Sequence, residues 1–200
     1  MIPVWQQSKA LIFDCDGTLT DSMPLHMESW ARAFADFGEP YRSQFLDALK
    51  GMNEEKIVQL YNKEFNSNLN AKQLVETKHR YFQEKAHLIK PIDPVVQTAR
   101  KYAKKLPLAV VSGGRRKNVL ATLSSLDLEQ FFTVILTADD LLPPKPAPDM
   151  FLEAARQLGV EPEFCQVFED GDLGLEAARK AGMKAVDIRE IIINNKRWKE

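Results

Sequence analysis

Apolar positions divide the chain into three segments with different periodicities. The first apolar run, Ala10 to Phe13, has four residues, and polar turn residues follow it at once. A short, unbroken run between turns is typical of a strand that is buried on both faces of a parallel sheet. We therefore predict a buried strand here, with its carboxyl end at Asp14.

Helical spacing replaces this pattern from about residue 21 to about residue 89. Ser22, Asn53 and Asn70 precede three apolar stripes as predicted N-caps, and Gly38 follows the first stripe as a predicted stop. The stripes consist of Met23, Met27, Trp30, Phe34 and Phe37; of Ile57, Leu60, Tyr61 and Phe65; and of Leu74, Val75, Phe82 and Leu88. No strand pattern interrupts them, so the sequence predicts a small helical bundle.

From Asp93 onward, strand and helix patterns alternate. Helices are predicted over residues 95–105, 115–126, 149–158 and 173–181, and strands over residues 108–111, 133–136, 166–168 and 184–187. This alternation predicts right-handed parallel crossovers and a three-layer α/β domain. We assign residues 1–20 and 91–200 to this core and residues 21–90 to an inserted helical domain. The stretch Pro91-Ile92-Asp93-Pro94 is the predicted return hinge.

Composition excludes several classes of protein. The formal net charge is −1, so the chain lacks the basic field that nucleic-acid binding needs. No apolar run exceeds five residues, and residues 1–7 lack the charged start and apolar core of a signal peptide. We therefore expect a cytoplasmic protein without nucleic-acid or membrane partners. Cys15 and Cys165 lie on or beside predicted central strands, where we expect buried thiols instead of a disulfide.

Two carboxylates follow the first strand. Asp14 stands at its end, Asp16 follows shortly after, and Gly17 lets the chain turn sharply, so that both acids can face one cavity. Adjacent acids repel each other unless a cation neutralises them, and oxygen ligands suit Mg²⁺. An EF-hand-like Ca²⁺ loop is excluded, because its sixth and twelfth positions would hold Leu19 and Leu25. A plain aspartate turn remains as the alternative.

Further polar groups lie at the ends of later strands or in loops. Ser112-Gly113-Gly114 follows the second predicted strand, Lys145 lies in a proline-rich loop, and Glu169-Asp170 follows the fourth predicted strand. A Ser-Gly-Gly turn or a loop lysine is weak evidence alone. Their combination and order along the chain favour a single polar site over a plain turn.

These motifs, in this order, resemble those of the haloacid dehalogenase (HAD) superfamily of phosphohydrolases, from Leu11 to about Asp187. The resemblance implies a Rossmann-like α/β core, an inserted helical cap and the sheet order 5-4-1-2-3. That order would place Asp14 between the strands that carry Asp170 and Ser112.

The resemblance also implies roles for the acids. Asp14 would be the nucleophile that forms an aspartyl-phosphate, and Asp16 would be the general acid and base. Mg²⁺ would be held by Asp14, the main-chain oxygen of Asp16 and Asp170, with Glu169 as a ligand or an outer partner. The plainer alternatives are a metal ligand only for Asp14 and a turn residue for Asp16.

Phosphate contacts are implied for the other motifs. Ser112 would donate its hydroxyl, and the amides of Gly113 and Gly114 would face an anion at a helix start. Lys145 would balance the charge of the phosphate and the nucleophile, its alternative being an exposed loop lysine.

Three cations, Arg115, Arg116 and Lys117, stand at the start of the next predicted helix. They oppose the positive end of the helix dipole unless an anion lies nearby, and a phosphorylated or acidic substrate would supply that anion. We therefore assign Arg115 and Arg116 to substrate binding, with a solvated basic face as the alternative.

Two residues of the inserted domain complete the predicted site. His26 corresponds in position to a histidine that assists phosphoryl transfer or substrate binding in the superfamily. Lys50 lies in the segment that corresponds to its substrate-specificity loop. The related mutases carry an arginine three residues after the loop glycine, where this chain has Glu54.

The combined prediction is a Mg²⁺-dependent phosphatase that acts as a monomer on a small phosphorylated metabolite, a sugar phosphate. The first alternative is a mutase of the β-phosphoglucomutase type. A receiver-type signalling module also uses aspartate, Mg²⁺ and lysine. Such a module carries its aspartate on a later strand and has no room for an inserted domain of this length.

Overall fold

The computed structural model describes residues 1–49 and 52–191. They form two compact units, one from Met1–Asp21 together with the described residues from Lys90 onward, the other from Ser22–Ile89. We call the first the sheet unit and the second the helical unit. Within the described part of the chain, no helix combines the length and the apolar character needed to cross a membrane.

A parallel sheet of five strands forms the centre of the sheet unit. The strands are β1 (Ala10–Phe13), β2 (Leu108–Val111), β3 (Val134–Leu136), β4 (Cys165–Glu169) and β5 (Lys184–Asp187). Their order is β3-β2-β1-β4-β5, which confirms the predicted order and puts β1 at the centre. In register, Leu11 of β1 lies opposite Leu108 of β2 and Gln166 of β4. All of β1 is buried, as its unbroken apolar run predicts.

The helices, in chain order, are α1 (Met23–Asp36), α2 (Ser43–Asp47), α3 (Glu54–Phe65), α4 (Ala71–Lys85), α5 (Asp93–Tyr102), α6 (Arg116–Ser125), α7 (Asp149–Leu158) and α8 (Asp172–Lys180). Helices α5 and α6 pack on one face of the sheet with Leu11 and Phe13, and α7 and α8 pack on the other face with Ala10 and Ile12. Successive strand residues point to opposite faces, so one short strand contributes to both cores. The predicted three-layer α/β fold is confirmed.

The helical unit consists of α1 to α4 around an aromatic core that includes Trp30, Phe34 and Tyr61. Two of its predicted caps are confirmed. The Asn53 side chain accepts a hydrogen bond from the backbone of α3, and the Asn70 side chain accepts one from the backbone of α4.

Ser22 is the N-cap residue of α1, as predicted, but it makes no side-chain capping bond. Other local predictions are wrong. Leu88 lies in a 3₁₀ turn beyond α4 and is 62% exposed, because the helical period stops at Lys85. The predicted return hinge is shorter than expected, since α5 already begins at Asp93 with Pro94 in its first turn, where a missing N–H costs no hydrogen bond. The short helix α2 was not predicted.

Candidate active site

Asp14 directly follows the central strand. Its backbone N–H extends the ladder by donating to the Phe168 carbonyl of β4 at 3.0 Å, and its side chain is buried. Lys145 Nζ donates to Asp14 Oδ1 at 2.8 Å and to the carbonyl of Val111, the last residue of β2, at 3.1 Å. The structure therefore brings the predicted nucleophile and the predicted cation together at the carboxyl end of the sheet.

Glu169, the last residue of β4, provides a second anion for the same ammonium group. Its Oε1 accepts a hydrogen bond from Lys145 Nζ at 2.6 Å, and its Oε2 accepts one from the Gly171 backbone N–H at 2.7 Å. The side chain is only 4% exposed. Lys145 thus bridges two buried carboxylates, and both oxygens of Glu169 already have partners.

Asp170 is held by the turn that follows β1. Thr18 Oγ1 donates to Asp170 Oδ1 at 2.8 Å. Gly17 has a φ of +92°, and a Cβ placed on it would lie 2.3 Å from Asp170 Oδ2. Residue 17 must therefore lack a side chain both for its backbone conformation and for this contact. Sequence reasoning did not single out Thr18, because a threonine in a turn shows no partner until β1 and β4 are paired.

The carboxylates around Lys145 carry more negative charge than this one ammonium group can balance. One oxygen from each of Asp14, Glu169 and Asp170 lies within 4.8 Å of the others. Burial and the two neighbouring carboxylates hold the pKa of Asp14 well above its usual 3.8, although Lys145 opposes them. Burial and Glu169 raise the pKa of Asp170 to about 6, although the hydrogen bond from Thr18 opposes them. Such a net negative set of oxygen ligands suits a further, hard cation.

Ser112 lies just beyond β2 and is buried. Its Oγ accepts a hydrogen bond from the Gly114 backbone N–H at 3.0 Å, so the hydroxyl proton is available to another acceptor. A Cβ on Gly114 would lie 3.3 Å from Asp16 Oδ2, which places the Asp16 carboxylate beside this turn. The Gly114 amide, expected to face an anion, is used inside the turn. Gly113 has open space on its Cβ side.

Arg116 has carboxylate partners of its own. Its guanidinium Nη2 donates to both oxygens of Asp140, at 3.0 and 2.9 Å, and to the Ile135 carbonyl at 2.9 Å, while its backbone N–H donates to Asp139 Oδ2 at 2.7 Å. The anion expected at this helix start is therefore supplied within the chain. Arg115 is the N-cap residue of α6.

His26 belongs to the helical unit. Lys78 Nζ lies 2.9 Å from His26 Nδ1 and donates to Glu54 Oε1 at 2.6 Å, while Glu54 Oε2 lies 2.6 Å from His79 Nε2. Lys78 is 1% exposed. Burial raises the pKa of Glu54, but Lys78 and His79 outweigh burial and lower that pKa far below its usual value. Lys50 lies outside the described residues.

Comparison with known proteins identifies the family. The family model described as haloacid dehalogenase-like hydrolase matches residues 11–188. Fructose-1-phosphate phosphatase YqaB of Escherichia coli is 34% identical over 93% of this chain and 99% of its own length. Phosphorylated carbohydrates phosphatase of Thermotoga maritima is 33% identical over 89% of this chain and 83% of its own length.

Solved structures agree with this relationship. The crystal structure of β-phosphoglucomutase from Clostridium difficile superposes with a TM-score of 0.75 at 26% identity, covering 90% of this chain and 84% of that chain. The sheet order, the acidic cluster around Lys145 and these relatives lead to one conclusion. The chain belongs to the haloacid dehalogenase-like hydrolase family.

Proposed function

We propose that this protein is a Mg²⁺-dependent phosphatase that hydrolyses a small sugar phosphate through an aspartyl-phosphate on Asp14. The observation that carries the proposal is the contact of Asp14 with Lys145, at 2.8 Å, within an acidic cluster at the end of the central strand. Both relatives described above are named as phosphatases of phosphorylated carbohydrates, which supports the reaction and the substrate class.

Asp14 would attack phosphorus and form an O–P bond while the bond from phosphorus to the substrate oxygen breaks. Lys145 bonds Oδ1, which favours Oδ2 as the atom that would attack. Because burial and neighbouring acids raise the pKa of Asp14, cations are needed to keep this carboxylate ionised. Lys145 would supply one of these positive charges and would also offset the charge of the transferring phosphoryl group.

Asp16 would protonate the departing alkoxide and then take a proton from the water that hydrolyses the aspartyl-phosphate. Its carboxylate lies beside the Ser112–Gly114 turn, which supports a shared role of this turn and Asp16 around one phosphate. Ser112 would donate its hydroxyl proton to a phosphate oxygen.

The residues present fit Mg²⁺, which would bind Asp14, Asp170 and the main-chain oxygen of Asp16. Glu169 already bonds Lys145 and Gly171, which favours an outer position for this residue. When bound, the ion would draw negative charge away from the transferring oxygens. Thr18 holds the Asp170 carboxylate in place for this role.

A screen of phosphorylated metabolites with detection of inorganic phosphate, with and without Mg²⁺, tests the proposal. We expect Mg²⁺-dependent phosphate release that is fastest with sugar monophosphates. Absence of release from every phosphomonoester would overturn the proposed function.

A mutase is the second candidate, because a β-phosphoglucomutase is among the structural relatives. A mutase must hold a bisphosphorylated intermediate, and the second phosphate needs a cation, for which arginine has the best geometry. In the helical unit Glu54 stands three residues after the loop glycine, where the resemblance implies that arginine in the related mutases, and it bonds Lys78 and His79. The carboxylate therefore offsets the charge of the buried Lys78, which favours the phosphatase.

The two candidates differ in their products. With β-glucose 1-phosphate, glucose 1,6-bisphosphate and Mg²⁺, a phosphatase releases inorganic phosphate, whereas a mutase produces glucose 6-phosphate. Isomerisation faster than phosphate release by more than about tenfold would replace the phosphatase assignment with the mutase.

We predict that Mg²⁺ stabilises the fold more at about pH 7.5 than at about pH 5. Folding raises the pKa of Asp170 from 3.8 to about 6, so the protonated carboxyl stabilises the metal-free fold at low pH. That stabilisation is lost as the pH rises from 3.8 through about 6. The metal binds the ionised carboxylate, so protons compete with it below about pH 6. Melting temperatures with Mg²⁺ and with chelator at both pH values measure the difference, and an equal gain at both would contradict the assignment of Asp170.

Arg115 and Arg116 form a matched pair of variants. We expect Arg116→Ala to lower the free energy of unfolding by about 0.5–1 kcal/mol, because it loses a partly exposed ion pair with Asp140, and to leave KM nearly unchanged. We expect Arg115→Ala to raise KM without a comparable loss of stability. Denaturant unfolding and steady-state kinetics of both variants check this. The reverse pattern would assign the substrate contact to Arg116.

A further inference from the structure

Helix α8 contains a glycine where helix propensity disfavours one. Gly174 lies within Asp172–Lys180, is buried, and has no positive φ that would require glycine. Glycine is the poorest helix former after proline, so another constraint must explain its presence. That constraint is visible on the side of the helix that faces β4.

The backbone of Gly174 touches the Glu169 carboxylate. A Cβ placed on Gly174 would lie 1.8 Å from Glu169 Oε1, 2.2 Å from Cδ and 2.8 Å from Cγ. Oε1 is the oxygen that bonds Lys145 Nζ, and the other oxygen bonds the Gly171 N–H. Because Glu169 is buried and bonded at both oxygens, even a methyl group at residue 174 would force this carboxylate to move.

The neighbouring glycine does not impose this constraint. A Cβ on Gly171 would lie 3.4 Å from Glu169 Oε2, which is ordinary van der Waals contact. A Cβ on Gly174, by contrast, would lie only 1.8 Å from Glu169 Oε1, far inside van der Waals contact. The close approach therefore concerns Gly174 and the end of the Glu169 side chain, and its shortest distance is to the oxygen that bonds Lys145.

We propose that Gly174 is a positioning residue for the reaction: its bare backbone supports Glu169, which in turn holds Lys145 against Asp14. This inference rests on the proposed phosphatase function. A methyl group at residue 174 displaces Oε1, so Lys145 loses one of its two carboxylate partners and its fixed distance from Asp14. The residue acts through Glu169 and Lys145 and does not contact the substrate.

Steady-state kinetics of Gly174→Ala provide the first test. We expect kcat/KM to fall about 100-fold, mainly through kcat, because the loss concerns the orientation of the reacting groups. Glu176→Ala, an exposed substitution on the same helix, is the matched control and should retain parental kinetics. Parental kinetics in Gly174→Ala would overturn the proposal.

Thermal unfolding provides a second test that needs no activity. All three clashing atoms belong to Glu169, so Gly174→Ala should lower the melting temperature of the parent and raise it in a Glu169→Ala background, where only the gain in helix propensity remains. If Gly174→Ala fails to fold, recovery of folding in the double variant supports the proposal. An equal loss of stability in both backgrounds would overturn it. If the parent hydrolyses no phosphomonoester, the proposed function fails. The melting temperatures still test the contact between Gly174 and Glu169.

Discussion

Replacement of Asp14 by asparagine should reduce turnover by more than about 10³-fold while the fold is retained, because an amide cannot attack phosphorus. The ionised form of Asp14 is opposed by burial and by Glu169 and Asp170, which raise its pKa, so removal of this charge should not greatly destabilise the metal-free protein. Phosphate release and thermal unfolding, measured on the same preparation, check both parts.

Asp21→Asn is the matched control for this experiment, since Asp21 is exposed in the same segment and contributes no group to the proposed chemistry. It should retain parental activity. Activity of Asp14→Asn within about tenfold of the parent would remove Asp14 from the role of nucleophile.

Replacement of Lys145 by methionine should have the second largest effect. It leaves Asp14 and Glu169 buried without their shared cation, which should lower the free energy of unfolding by about 3 kcal/mol, and kcat/KM should fall by about 10²–10³-fold. Denaturant unfolding and steady-state kinetics measure the two losses. Lys184→Met, at an exposed position of β5, is the control and should change neither quantity appreciably.

The pH dependence of this destabilisation gives a separate check. Without Lys145, which lowers both values, the pKa values of Asp14 and Asp170 rise further above their unfolded values, so their protonated forms are favoured in the folded state. The cost of the substitution is then small at about pH 4 and grows as pH rises toward about pH 8. A cost that is constant over this range would show that lost packing, and not charge, causes the destabilisation.

Some predictions followed directly from local pattern. The unbroken run Ala10–Phe13 indicated a strand buried on both faces, and the structure has it as the central strand. Asn53 and Asn70 were predicted as caps because their side chains bond the backbone a few residues away, a purely local interaction. The prediction that Leu88 belongs to the third apolar stripe is wrong, because the exposure of Leu88 depends on where the helix ends, which the period alone does not show.

Contacts between distant segments could not be derived in this way. Arg116 was assigned to the substrate because the sequence shows its place at a helix start, but its carboxylate partner, Asp140, lies in the turn after β3. For the same reason, the sequence did not indicate a role for Thr18 or Gly174. Their roles depend on Asp170 and Glu169, and those partners are identified only once the sheet and α8 are assembled.

The sequence alone determined the alternating α/β architecture and, by resemblance, the strand order and the motif residues Asp14, Ser112, Lys145 and Asp170. Periodicity and motif order are properties of neighbouring residues, so they can be recognised before the chain folds. Only the tertiary structure decided which oxygens Lys145 bridges, why residues 17 and 174 must lack side chains, and which carboxylates Arg116 bonds. Those features depend on close distances between segments far apart in the chain, and packing sets such distances.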